Sequence, residues 1–165
     1  MKHILFFIGL VAVVFACKNG SEKCKFGQPT AIFSADLPHV SSHNFQQKGN
    51  ESLESLMFDT GIALEIEQSG CEEMQQAFRF TALGDRRSMP DSMWVKEAVR
   101  QLVYLSSLGK KQGPLRLWAD ALEAARPSLK LGETFPIEAG VGVKVDKIVS
   151  PDQSVLLLTL SQMQH

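Results

Sequence analysis

The sequence has no recognisable catalytic fingerprint and no block of basic residues. No Walker loop, dinucleotide-binding glycine motif, C-x-x-C, H-E-x-x-H or G-x-S-x-G pattern occurs among its 165 residues. The 17 basic and 18 acidic residues give a formal charge of −1 and are dispersed along the chain. Nucleic-acid binding needs a concentrated positive surface, so this charge pattern argues against it. We expect neither a nucleic-acid partner nor a cofactor.

The longest apolar run stands near the start of the chain. A short, positively charged beginning, residues 1–3, precedes an apolar stretch over residues 4–15. About 20 apolar residues are needed to cross a bilayer, so this stretch is too short for a permanent membrane helix. Its length and flanks are those of a secretory signal peptide that is removed after Ala16. We expect residues 1–16 to direct export.

The residues around this predicted cleavage point, Val14-Phe15-Ala16-Cys17, resemble the lipobox of bacterial lipoproteins. In that family an aliphatic and a small residue lead into an obligatory cysteine, whose sulfur receives a diacylglyceryl group before cleavage. The resemblance implies that Cys17 carries fatty acyl chains such as palmitate and anchors the protein to a membrane of the cell envelope. The alternative is a plain secreted protein in which Cys17 is simply the first mature residue.

The number of cysteines agrees with this interpretation. The chain has three, at positions 17, 24 and 71. If Cys17 carries lipid, the other two can pair in an oxidising compartment. We therefore predict a disulfide between Cys24 and Cys71, which closes a loop of about 47 residues and contributes about 4 kcal/mol in the chain-entropy model. The alternative is that both remain reduced.

The mature sequence is long enough for one domain with a real core. About 149 residues remain after cleavage, which is short for two domains. Residues 17–27 are polar and contain glycine and serine, which is typical of a tether. We expect a single domain over residues 28–165.

The first half of this domain alternates apolar and polar residues with the period of two that is typical of strands. Two such segments, residues 40–48 and 52–59, are separated by Gly49-Asn50, a hairpin pattern. Further alternating segments follow the turn Asp59-Thr60-Gly61 and continue to residue 82. The pattern predicts an antiparallel meander.

The middle of the domain changes to a helical period. Residues 91–108 carry apolar side chains at helical spacing, with Asp91 or Ser92 as the expected N-cap. Pro114 opens a second helix that ends before Pro127, and residues 141–160 alternate again. We predict an α+β fold: an antiparallel sheet, made of the meander plus a C-terminal hairpin, with a two-helix hairpin packed on one face.

Arg86 and Arg87 are the candidate binding residues. They lie in a polar loop just before the first predicted helix. Two arginines near a helix amino terminus can hold an anion or an acidic partner. The alternative is that they are ordinary solubilising residues of an exposed loop.

The remaining chemistry-bearing residues form no convincing site. Asp59-Thr60-Gly61 matches the active-site triplet of aspartic proteases, but those enzymes need two aspartates and the sequence has one copy. His39 and His43 lie about 13 Å apart on an extended chain, so we expect no metal site. Glu65 and Glu67 have the roughly 7 Å spacing of some catalytic pairs, yet alternate acids are typical of a solvated strand face.

The sequence therefore favours a lipid-anchored, non-catalytic binding protein of the bacterial cell envelope, with an envelope protein as its partner. An inhibitor or immunity-type protein against a secreted enzyme is a second candidate within that class. From different classes, the sequence also permits an envelope hydrolase that uses Asp59, Glu65 or the histidines, and a structural lipoprotein that stabilises an assembly.

Thiol titration of unfolded, unreduced protein tests the predicted disulfide. If Cys17 is lipidated and Cys24 is bonded to Cys71, we expect no reactive thiol, and two after reduction. Two reactive thiols before reduction would rule out the bridge.

Overall fold

The computed structural model describes residues 25–71, 73–138 and 140–162. Seven antiparallel strands form one sheet in the order β1-β2-β3-β4-β7-β6-β5, and two helices connect β4 to β5. The predicted α+β fold is confirmed. The strands are β1 Val40–Lys48, β2 Glu51–Phe58, β3 Ala63–Ser69, β4 Met74–Leu83, β5 Thr134–Glu138, β6 Val141–Val149 and β7 Gln153–Gln162, and the helices are α1 Asp91–Ser107 and α2 Gly113–Ala125.

The predicted meander corresponds to β1–β4. Each strand pairs with the next, and the tight turn between β1 and β2 contains Gly49 at a φ of 62°. Glycine adopts this left-handed conformation without steric cost. Along β3, Leu64 and Ile66 are fully buried while Glu67 is exposed, as the alternation predicts.

The C-terminal part has one more strand than the predicted hairpin. β5 pairs with β6, and β6 pairs with β7, so this part is a three-stranded meander. β5 is short and contains Pro136, which obscures it in the sequence. Because β5 lies at the edge of the sheet, proline is tolerated there.

The two predicted helices are present, but the start of α1 differs from the expectation. The N-cap residue is Pro90, and no side chain caps the helix. The carboxylate of Asp91 instead accepts a hydrogen bond from Nζ of Lys147 on β6, at 2.6 Å. A single 3₁₀ turn, Lys110–Gln112, joins α1 to α2. No helix in the described ranges combines the length and apolar character needed to cross a membrane.

The core lies between one face of the sheet and the helices. Phe78 and Phe80 of β4 and Leu158 of β7 are almost fully buried there, together with Trp94 and Leu102 of α1. Burial of a large apolar side chain contributes about 1.5–3 kcal/mol. The same face of the sheet is packed again near β1 and β2, but by a different part of the chain.

Residues 30–39 precede β1 and cover this second area. The fully buried carboxylate of Glu54, on β2, accepts hydrogen bonds from the backbone N–H groups of Ile32 and Phe33, at 2.7 and 2.8 Å. Nε2 of His43 lies 2.8 Å from the same carboxylate. The phenyl ring of Phe33 is buried in the core. Glu54 therefore fixes this segment to the sheet.

Two buried glutamines complete the attachment. Gln68 of β3 donates to the backbone carbonyl of Thr30 at 2.9 Å, and Gln112 donates to that of Ile32 at 2.7 Å. Both glutamine side chains are buried, and buried amide groups need such hydrogen-bond partners. Side chains from the sheet and from the connection between the helices thus hold residues 30–39 from both sides.

Replacement of Glu54 by alanine should destabilise the fold strongly. Glu54→Ala removes the acceptor of two backbone N–H groups and leaves His43 without this contact, so we expect a loss of about 3–5 kcal/mol in the free energy of unfolding. Chemical denaturation measures this. Glu51→Ala, an exposed position on the same strand, should change stability by less than about 0.5 kcal/mol. Equal losses in the two variants would contradict the role given to Glu54.

Candidate binding groove beside helix α1

The two arginines that the sequence singles out have different surroundings. The guanidinium of Arg87 donates to both carboxylate oxygens of Asp85, at 2.7–3.1 Å, and these bonds lower the pKa of Asp85 to about 2. Arg87 is therefore committed to a neighbouring side chain in an exposed loop. Arg86 instead lines a small cavity beside α1. Of the predicted pair, Arg86 belongs to a concave site.

This inner cavity, of about 20 Å³, lies between the sheet and α1. Arg86, Ser154 and the α1 residues Trp94, Glu97 and Gln101 supply its polar lining. Such a volume has room for about one water molecule. The inner cavity is too small for any larger molecule.

An open groove of about 180 Å³ adjoins the inner cavity, since Ile62 and Gln101 line both. Thr60, Arg100 and Tyr104 complete its lining. We call this feature the α1 groove. One wall is therefore the turn between β2 and β3, and the other is the side of α1 that carries Arg100, Gln101 and Tyr104.

Glu97 organises the α1 wall. Its carboxylate accepts hydrogen bonds from Nη2 of Arg100 and Nε2 of Gln101, both at 2.6 Å. Residues three and four positions apart share one side of a helix, so the sequence spacing places these groups together. Burial alone would raise the pKa of Glu97, but these hydrogen bonds and the charges of Arg100 and Arg86 lower it.

Two buried donors at this site have no hydrogen-bond partner among the described residues. They are the indole N–H of Trp94 and the hydroxyl of Tyr104. An unsatisfied buried polar group costs about 1–3 kcal/mol, and native proteins contain few of them. Burial, together with the negative charge of Asp59, raises the pKa of Tyr104, which keeps its hydroxyl protonated. The ring of Tyr104 is held edge-on against Phe58, with centroids 5.4 Å apart.

The Asp59-Thr60-Gly61 triplet forms the turn at the rim of the groove, as the sequence predicts. The N–H of Phe58 donates to the carbonyl of Ile62 at 3.0 Å, and Gly61 has a φ of 77°. The exposed side chain of Asp59 lies 3.7 Å from His39. Asp59 thus pairs with a histidine, whereas the aspartic protease mechanism needs a second aspartate at this position.

The remaining candidate acids and histidines lie elsewhere. His43 contacts Glu54 beneath residues 30–39. Glu65 and Glu67 lie on the face of the sheet opposite the helices, where Glu65 is 3.8 Å from Arg79. No three His, Cys, Asp or Glu side chains of the described ranges are placed to hold a metal ion. The residues suggested for catalysis therefore occupy three separate places.

The predicted signal peptide, Cys17 and Cys24 lie outside the described residues. Cys71 is described and is disulfide-bonded. The backbone N–H of Lys25 donates to the carbonyl of Cys71 at 3.1 Å, which brings the residue after Cys24 next to Cys71. This proximity supports the pairing of Cys24 with Cys71, which stays a prediction.

Three larger depressions lack the features of the α1 groove and its inner cavity. One, of about 460 Å³, lies at the ends of β1, β2 and β3. A second, of about 310 Å³, lies beside the start of α2, and a third, of about 530 Å³, lies between the start of α1 and the residues after α2. None of the three is lined by Tyr104 of the groove or Trp94 of the inner cavity, whose donors lack a partner among the described residues. The α1 groove is therefore the stronger candidate for recognition.

Most residues that line the groove and the inner cavity could not be identified from the sequence. Trp94, Glu97 and Tyr104 carry no motif. Gln101 did leave a readable sign, because it is a polar residue between Ala98 and Leu105 on the buried stripe of α1. Arg86 was predicted, but its separation from Arg87 depends on how the loop folds.

Arg100→Ala should raise the pKa of Glu97 toward its ordinary value near 4.5, because the variant removes a hydrogen bond and a positive charge. In the native protein the pKa of Glu97 is lower folded than unfolded. Its carboxylate therefore stabilises the fold above the ordinary glutamate pKa, and this contribution is lost as the pH falls through the folded value. Carboxyl-carbon NMR titration measures the pKa. An unchanged midpoint in Arg100→Ala would contradict the assigned contact.

Comparison with known proteins does not identify the chain. No family model matches it, and no curated protein or solved structure is significantly similar to it. Its function must therefore be inferred from the chemistry of the groove itself.

Proposed function

We propose that this protein is an exported, lipid-anchored and non-catalytic binding protein of the bacterial cell envelope. Residues 1–16 direct export, and the acyl chains on Cys17 hold the protein at the membrane. Several acyl chains together anchor a protein firmly, whereas one alone binds only marginally. The folded domain recognises another envelope protein through the α1 groove.

The proposal rests on the excess of hydrogen-bond donors over available acceptors at this site. The indole of Trp94 and the hydroxyl of Tyr104 have no partner among the described residues. Arg86 and Arg100 add guanidinium groups, which donate and cannot accept. The carboxylate of Glu97 already accepts two hydrogen bonds. A group with acceptor oxygens, above all a carboxylate, complements such a lining.

The exposure of Arg100 gives such a group a point of entry. Its side chain is 67% exposed, whereas both unpartnered donors are covered in the free protein. An arriving carboxylate meets the guanidinium of Arg100 first. It can then accept from the hydroxyl of Tyr104, which lines the same groove, if the side chains at the rim turn aside.

The size of the groove favours a protein partner over a small molecule. Small-molecule sites usually enclose about 300–1,000 Å³, and the α1 groove provides about 180 Å³. A single side chain needs less room, and buried anchor side chains dominate many protein interfaces. We infer that the partner inserts an aspartate or glutamate side chain.

A hydrolase receives less support. Asp59 and His39 lie at the exposed rim, His43 is bound to a structural carboxylate, and Glu65 is on the opposite face of the sheet. A general acid and base must both reach one substrate, which these positions do not favour. Recognition without turnover is therefore the better supported function.

Photo-crosslinking in the natural host tests the groove as a recognition site. In one variant a photoreactive residue replaces Thr60 at the exposed rim of the groove. In a matched control variant it replaces Leu117, an exposed residue of α2 outside the groove. We expect one discrete adduct from position 60, reduced at least tenfold by Arg100→Ala, and no adduct of the same mass from position 117. Immunoblotting and mass spectrometry provide the readout.

The variants must keep the groove folded for this test to be decisive. Tyr104 is the only tyrosine of the chain, so fluorotyrosine labelling gives one ¹⁹F resonance from the groove itself. A dispersed, native-like resonance in Arg100→Ala establishes that folding is intact. Equal adducts from positions 60 and 117, or an adduct that persists in Arg100→Ala, would refute recognition through the groove.

A further inference from the structure

The sheet has one face without a described helix, which we call the open face. Four of the six large apolar side chains that are exposed in the described part of the chain lie on it. They are Leu53 and Met57 of β2, Leu83 of β4 and Ile148 of β6. Exposed apolar groups gathered on one surface mark an interaction site more often than scattered ones do.

The register of the strands places two of these groups, Met57 and Ile148, in one row. Each residue of this row is paired with the next on the adjacent strand. From β2 to β6 the row contains Met57, Ala63, Thr81, Val155 and Ile148. This uncharged row crosses five adjacent strands, from β2 to β6. A second row on the same face, separated from the first by one intervening row, contains Glu67, Ala77, Thr159 and Lys144 on the four strands β3, β4, β7 and β6.

We propose that a second copy of this chain packs its open face against the open face of the first. The two copies are related by a two-fold axis that lies between the two faces, parallel to the strands and midway between β4 and β7. Such an axis places β3 of one copy over β6 of the other, because each lies one strand outside the central pair. A two-fold interface uses the same surface twice, so every contact occurs in duplicate.

Charge complementarity identifies the second copy as the occupant. Glu67 and Lys144 lie in the same row and at equal distances from the proposed axis, on opposite sides of it. The two-fold operation therefore brings Glu67 of one copy to Lys144 of the other, and the reverse. In the uncharged row, the same operation brings Ala63 over Ile148 and Thr81 over Val155.

The remaining charges do not oppose this arrangement strongly. Glu65 and Asp146 meet across the axis, but each has a cation on its own chain. Arg79 lies 3.8 Å from Glu65, and Lys144 lies 3.7 Å from Asp146. The central part of the face therefore has nearly balanced charge.

The size of the face also fits a dimer. Seven strands at about 4.8 Å spacing and about 8 residues long span roughly 34 by 26 Å, which is on the order of 900 Å². Each partner in a standard stable interface contributes about 800 Å². The strands of two packed sheets cross at about 30°. Because β3 lies about 7 Å from the axis, this crossing displaces its residues along the strand by about 4 Å relative to the residues that face them on β6 of the other copy. A lysine side chain can span that shift.

Charge reversal with rescue tests the two-fold pairing. The full chain, solubilised in mild detergent, is examined by sedimentation equilibrium, which gives the dimer dissociation constant. We expect Glu67→Lys and Lys144→Glu each to raise this constant at least fivefold, because each places like charges together. The double variant Glu67→Lys/Lys144→Glu restores opposite charges and should return within about twofold of the natural protein.

An apolar variant and its control test the same face independently. Ile148→Glu should raise the dissociation constant at least tenfold, whereas Leu117→Glu, at a more exposed position on α2, should not change it. The ¹⁹F resonance of fluorotyrosine at position 104 establishes that each variant is folded. A natural protein that stays monomeric at 100 µM, a dimer unaffected by Ile148→Glu, or no rescue in the double variant would each overturn the proposal. The test does not involve the α1 groove, so its outcome is separate from the proposed function.

Discussion

The buried carboxylate of Glu54 connects two parts of the molecule that would otherwise be separate. The backbones of the helices lie closest to β5, β6 and β7, so much of the core side of β1–β3 needs another cover. Residues 30–39 provide this cover, and the backbone N–H groups of Ile32 and Phe33 donate hydrogen bonds to the carboxylate of Glu54. A carboxylate can accept several hydrogen bonds at once, which lets one side chain replace the ladder that an additional strand would supply. The burial of Phe33, and with it the half of the core near β2, depends on this acceptor.

The α1 groove shows the opposite balance of donors and acceptors. At Glu54 the backbone N–H groups of Ile32 and Phe33 have an acceptor, whereas beside α1 the donors of Trp94 and Tyr104 have none within the described part of the chain. Protein folding tolerates such a deficit where a ligand can compensate for it, and functional sites are where local rules are most often broken. The position of Glu97, between Arg100 and Gln101, keeps the rim ordered while the deeper donors remain available.

Most of the fold could be predicted because its elements obey simple periods, whereas the candidate site could not. The meander and both helices follow from alternation, turn residues and helical spacing. β5 was not predicted because Pro136 interrupts a strand of five residues. The expected N-cap at Asp91 or Ser92 was wrong because α1 already begins at Asp91, with Pro90 at the N-cap position. Whether an arginine belongs to a site likewise depends on its neighbours in space: Asp85 occupies Arg87, and the fold leaves Arg86 at a cavity. An unpartnered donor is a property of the packed structure and has no sequence pattern.

The adjacency of β4 and β7 has a consequence for how the chain reaches its native state. About 70 residues, including both helices, separate these two strands, so their pairing closes a long loop and raises the contact order of the whole fold. Until β7 has been synthesised, β4 is a bare edge, and Phe78 and Phe80 lack their cross-strand partners Leu158 and Leu156. A premature stop within β7 would therefore split the sheet at its centre instead of shortening its margin, and would leave two incomplete halves prone to aggregation.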